Sequence, residues 1–261
     1  MHQVRHIAPC FSYRLRQEDE SEEVYGARAA GALAAEIDAL GAERAIAFFA
    51  ETVVGSTLGA VPPAPGYFKQ IRQICDDTGT LMILDEVMAG MGRTGTLFSC
   101  EQDGVIPDMI SIAKGLGAGY QSIGALMVRA ELADEIEAGS GFFQHGHSYV
   151  GHPTACAAAL EVQRVFDDEN LIERCAKVGT KLRSALAETF ADHPHIGDIR
   201  GRGLLLGIEI VKNRETKAPF SAKRNVSAKL KSRAMENGLV CYPDSGTVDG
   251  LNGDHVLTAP P

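Results

Sequence analysis

The sequence predicts an α/β protein built on a mostly parallel sheet, and three observations carry that expectation. Apolar runs of strand length, Ala45–Ala50, Leu81–Leu84 and Met109–Ile112, recur through the first part of the chain. The first two are separated by a segment whose apolar residues repeat at helical spacing, and alternating strand and helix build a parallel sheet under its own crossovers. The runs lead into residues that can carry charge, namely Glu51, Asp85 with Glu86, and Lys114. Right-handed crossovers bring such strand ends to one rim of the sheet.

Glu23–Leu40 is Ala-rich, with Val24, Ala27, Leu33, Ile37 and Leu40 at approximately helical spacing and Gly41 beyond them as a stop, which predicts a surface helix. Ala45–Ala50 is apolar throughout, as expected of a parallel strand buried on both faces. The proline-rich connector Val61–Gly66 leads into Tyr67–Cys75, where Phe68, Ile71, Ile74 and Cys75 mark a helix that Gly79 ends. Strands follow at Leu81–Leu84 and, beyond a glycine-rich loop, at Met109–Ile112. Ile123–Val128 reads as one more core strand, entered through a turn too short for a helical crossover and so antiparallel to its neighbour. From Pro153 to about Phe190 the pattern is helical, with an interruption near Asp167–Asn170. Beyond Gly201, Leu204–Val211 begins a second β region. A boundary near residue 165 would then separate a first domain, 1–165, from a second, 166–261.

With 261 residues, 45% of them hydrophobic, the chain can form one large core or two ordinary domains. Its net charge of −9 disfavours nucleic acid, whose phosphates need a clustered excess of Lys and Arg. The longest apolar runs are strand-length, which argues against a membrane span. The N-terminus Met1–His6 lacks the apolar core of a secretory signal, so a cytoplasmic location is expected. Six scattered cysteines without CxxC spacing are expected to be reduced and mostly buried.

Lys114 and Asp85 are the residues whose positions ask for chemistry. An aspartate closing an apolar strand is costly to bury without a partner, and the glycines after it argue against a simple helix cap. Most lysines are solvated, but one directly after a buried strand is expected to be desolvated, which is how amine nucleophiles are made. Acid and amine at neighbouring strand ends suit a carbonyl cofactor held as an imine. The run Gly115-x-Gly117-x-Gly119 is a weak dinucleotide signal, because a strand rather than a helix follows it. His145, His147 and His152 lack a further ligand at fixed spacing, so structural or polar roles are favoured over metal binding. Ser148 and Tyr149, just before Gly151-His152-Pro153, suit an anion at the start of the next helix.

Four segments, Leu84–Gly95, Pro107-Asp108, Ala113–Leu116 and His145–Pro153, together with Arg200–Leu204 and Gly253–Pro261, resemble the class III pyridoxal-phosphate-dependent aminotransferases in sequence, order and gaps. The resemblance spans nearly the whole chain. It implies the large domain of the fold type I transferases plus part of a smaller α+β C-terminal domain, and pyridoxal 5′-phosphate as cofactor. Lys114 would form the internal aldimine and shuttle the proton, while Asp85 would keep the pyridine nitrogen protonated. Val87 would pack on the cofactor ring. Ser148, where the family usually has Thr, would offer its hydroxyl across a homodimer interface to the partner's cofactor phosphate.

The resemblance also implies an amino donor, an ω-amino acid or amine, and a 2-oxo acid acceptor. Met88 stands where many members have Gln and cannot donate that residue's hydrogen bond. Ser56, five positions after Glu51, replaces the Glu often found in members that use glutamate, which favours pyruvate-type acceptors. The phosphate loop and ring-stacking aromatic that precede these motifs in the family, and the arginine for the substrate carboxylate that follows them, are not recognised, so a fragment truncated at both ends is expected. The alternatives are a same-family aminomutase or decarboxylating aminotransferase, an inactive fragment acting only by association, and, more weakly, a nicotinamide-dependent dehydrogenase.

Overall fold

α1 (Ser12–Leu15) is a single turn, and α2 (Glu22–Leu40) opens where the Ser21 hydroxyl accepts the backbone N–H of Val24 at 3.2 Å. The computed structural model in which these elements are seen describes residues 4–261, so Met1, His2 and Gln3 of the N-terminal reading lie outside the described residues. Glu22 and Glu23 occupy the first turn of α2, where the helix dipole favours negative charge, and Gly41 ends it at φ 87°. α2 turns Tyr25, Ala30, Leu33 and Ile37 inward.

The first sheet contains β1 (Ala47–Glu51), β2 (Leu81–Asp85), β3 (Met109–Ile112) and β4 (Ala125–Val128) in that spatial order. β1, β2 and β3 run parallel, with α3 (Tyr67–Thr78) as the helix between the first two, and β4 is antiparallel to β3 as the short connection requires. Phe48, Met82 and Leu84 form one core with Leu33, Phe68 and Ile71 from α2 and α3. Two expectations are corrected here. Phe49, on the other face of β1, is 60% exposed, and all four residues of β4 are exposed, because among the described residues the helices cover one face only.

α4 (Ala130–Gly139), α5 (Pro153–Asp168) and α6 (Leu171–Thr189) follow. Asn170, in the left-handed region at φ 52°, breaks the chain between α5 and α6, where the sequence pattern is interrupted. The second sheet is formed by β5 (Ile196–Arg202), β6 (Leu205–Ile210), then, after α7 (Val226–Glu236), β7 (Tyr242–Ser245) and β8 (Asp254–Thr258). Its order is β5-β6-β8-β7 and every pairing is antiparallel. This β region begins at Ile196, earlier than expected, because Asp198, Arg200 and Arg202 hide the apolar pattern of β5. Val53, Ala60, Ala89, Leu205 and Leu257 pack into a small second core that joins the two sheets. A domain boundary near residue 165, in the last turn of α5, is retained as a proposal.

Candidate active site

The parallel register of β1, β2 and β3 sets Glu51 beside Asp85 and Asp85 beside Ser111 in one row at the C-terminal ends of the strands. Asp85 Oδ1 accepts the backbone N–H of Val87 at 2.8 Å, so the acid closes a local turn rather than capping a helix. Successive strand residues face opposite ways. The neighbour Glu86 is accordingly driven into the core, fully buried, with Oε2 and Oε1 accepting the N–H groups of Ser99 and Cys100, each at 2.9 Å. Burial pushes the Glu86 carboxyl above the usual carboxylate range, against the pull of those two N–H donors. Asp85 is only half-buried, so the buried acid at this strand end is Glu86 and not, as expected, Asp85.

After β3, Ala113 (φ −161°, ψ −148°) turns the chain out of the sheet and Lys114 takes up φ 44° at the head of a short 3-10 turn, Lys114–Leu116. A left-handed lysine costs about 1–3 kcal/mol and persists only where its surroundings hold it. Met91, also left-handed at φ 54°, does so in part, since a Cβ on Gly115 would lie 2.8 Å from Met91 Cβ. The loops that follow β2 and β3 therefore interlock directly behind the lysine. Lys114 itself is exposed rather than desolvated, because the chain leaves the sheet before the lysine and the side chain enters an open cavity.

That cavity, about 1050 Å³, is lined by Lys114, Val87, Met88 and Met91 on one side and by Phe166 and Leu205 on the other. Glu51, which the sequence placed among the strand-end charges and used as the reference point for Ser56, joins the candidate site through its place at the end of β1, matching that of Asp85 at the end of β2. Its Oε2 accepts the Gly55 N–H at 2.6 Å. Burial raises the Glu51 carboxyl above its ordinary range, Asp85 pushes it the same way, and the Gly55 N–H and Lys114 pull it down. Asp85 and Lys114 thus both lie within electrostatic reach of Glu51. An acidic strand end beside a lysine side chain suits a cofactor that carries a carbonyl for the amine and a ring nitrogen for the acid.

Ser148 lies on the exposed segment 144–152 and does not line this cavity. His145, His147 and His152 are exposed on the same stretch, where His147 Nδ1 accepts the Tyr149 N–H at 3.3 Å. All six cysteines are free; Cys10, Cys75, Cys100 and Cys175 are buried.

An α/β chain with a mostly parallel sheet, continued into a second, antiparallel sheet, matches the fold type I transferases. An (S)-enantioselective omega-transaminase from Thermomicrobium roseum superposes with a TM-score of 0.89 at 34% identity, over 98% of this chain and 55% of that one. An uncharacterised aminotransferase of Schizosaccharomyces pombe is 47% identical over 100% of this chain and 57% of its own length. A chloroplastic gamma aminobutyrate transaminase of Solanum lycopersicum is 37% identical over 95% of this chain and 46% of its own. The family model described as aminotransferase class-III matches residues 2–248, and the chain belongs to that family. It spans about half the length of the curated relatives it matches. Among the described residues no helix is long and apolar enough to cross a membrane.

Proposed function

We propose that this chain carries the catalytic lysine and the ring-nitrogen acid of an aminotransferase that moves an amino group from an ω-amino acid or amine to a 2-oxo acid. The observation that carries the reading is the convergence of Asp85, Glu51 and Lys114 at one end of the parallel strands. The family's cofactor is pyridoxal 5′-phosphate, and the residues fit it: Asp85 at the end of β2 as an acid for a cationic ring, an amine in the cavity, and Val87 and Met88 as apolar wall. When bound, that cofactor supplies an electron sink for the carbanion formed at the substrate's Cα.

Lys114 Nζ would hold the cofactor and, when free, carry the proton to and from the substrate. Asp85 would keep the ring nitrogen protonated through its carboxyl group, whose torsion the Val87 N–H fixes. Val87 would pack on the ring, and Met88 would supply bulk without a donor. Ser148, on an exposed segment outside the cavity, would serve a partner's cofactor phosphate in a homodimer. Ser56 in place of an acid favours a pyruvate-type acceptor. We keep a cytoplasmic location as part of the same proposal.

The test uses the complete polypeptide that carries this sequence. Lys114→Ala is expected to remove the visible absorbance of the bound cofactor and to lower turnover by about 10²–10⁴-fold or more. An unchanged spectrum and unchanged turnover would contradict the assignment. Product analysis with a panel of amines distinguishes amino transfer from the aminomutase and decarboxylating chemistries that share this geometry.

A further inference from the structure

A row of titratable side chains crosses the second sheet. The pairings Asp198 with Glu209, Glu209 with His255 and His255 with Asp244 run in register over β5, β6, β8 and β7, and Glu209 and His255 are fully buried. Arg200, also buried, gives its Nη1 hydrogens to Glu209 and Asp198, while Arg14 brings a second guanidinium to Glu209 with Nε at 2.7 Å from Oε1. The remaining donors of Arg200 leave the sheet. Nε donates to the carbonyl of Gly59 at 2.8 Å and Nη2 to the carbonyl of Leu58.

Those carbonyls belong to the 55–60 turn, which begins at the site described above. The Gly55 N–H donates to Glu51, and a Cβ on Gly55 would lie 2.4 Å from Met88 Sδ. The turn closes with Gly59 at φ 75° and Ala60 at φ 54°. Its backbone is pressed against the second sheet, for a Cβ on Gly207 would lie 1.9 Å from the Gly59 oxygen and a Cβ on Gly59 would lie 2.5 Å from the His255 ring. Thr247 Oγ1 shares a 2.7 Å hydrogen bond with His255 Nδ1 and fixes that ring. Burial, and after it the charge of Arg200, lowers the His255 pKa, so the ring stands behind Gly59 as a neutral group.

We infer that Arg200, with His255 as a backstop, is a positioning residue that sets the 55–60 turn and through it the place of Ser56, making the second sheet part of acceptor selection. Only a guanidinium has the planar fork to serve two carbonyls and two carboxylates together; a lysine ammonium has no such fork. This rests on the reading of Ser56 and Lys114 given under Proposed function.

The test is Arg200→Lys in the complete, cofactor-loaded protein, read by amide hydrogen exchange and by steady-state kinetics. Exchange at residues 55–60 is expected to quicken about tenfold while α2 and α3 are unaffected, and KM for the 2-oxo acid to rise about tenfold with kcat held within about twofold. In a cycle with Ser56→Ala the two effects on kcat/KM are expected to be non-additive, as for residues acting through one element. Should Arg200→Lys fail to fold, His255→Asn carries the same three expectations. Unchanged exchange at 55–60, an unchanged KM, or effects that simply multiply would overturn the inference. Loss of the Lys114 assignment would show separately in the cofactor spectrum, and the exchange result would still decide whether Arg200 holds the turn.

Discussion

Glu86 and Asp85 are adjacent carboxylates with opposite tasks, and which is which depends on the pleat of β2. Glu86→Gln would set an amide nitrogen against one of the two N–H donors, Ser99 or Cys100, that the carboxylate now accepts. The expected cost is about 1–3 kcal/mol, read as a lower urea midpoint with the slope unchanged. Lys114 and Asp85 were legible in the sequence because each follows an apolar run into a glycine-rich loop. Their exposure was not, since an apolar run tells that a strand is buried but not how sharply the chain leaves it; at Ala113 and Lys114 that exit is set by packing against Met91. That Glu51 stands directly beside Asp85 was not legible for a related reason, because only the register of β1 on β2 fixes it.

At the scale of elements, the three parallel strands, α2, α3 and the antiparallel β4 were legible from periodicity and connection length. β5 was not, since Asp198, Arg200 and Arg202 are charges that only a buried ion network makes compatible with a strand interior. α4 went unrecognised as well: its apolar stripe is short, with only Leu132 and Ile136 half-buried and no residue fully buried. The open faces of β1 and β4 mark the difference between an apolar pattern, which states what a strand can bury, and the neighbours that do the burying. The second core at Val53, Ala60, Ala89, Leu205 and Leu257 is assembled from single residues of five segments, which no local window reveals.

At the scale of the whole molecule, the buried charges of the second sheet reach the turn beyond β1 through Arg200. Arg200, Glu209 and Asp244 all bear on His255, whose pKa is lowered in the fold below its ordinary 6.5 by burial first. A lowered folded value means that the unfolded chain binds the extra proton more readily, so the contribution is fully present above about pH 6.5 and is lost as the pH falls through the folded value. Denaturant titrations between neutral and mildly acidic pH are expected to show this decline, and His255→Gln to flatten it. A decline of equal slope in the variant would assign it to other groups.

The central claim is that Lys114 is the covalent anchor of the cofactor. Borohydride fixes an imine as a stable amine, so reduction of the complete, pyridoxal-phosphate-loaded polypeptide followed by peptide mass analysis reads the attachment directly. The expected result is the added mass of the reduced cofactor on the peptide containing Lys114 and its disappearance in Lys114→Ala. Stoichiometric label on a different lysine, with Lys114 unmodified, would contradict it.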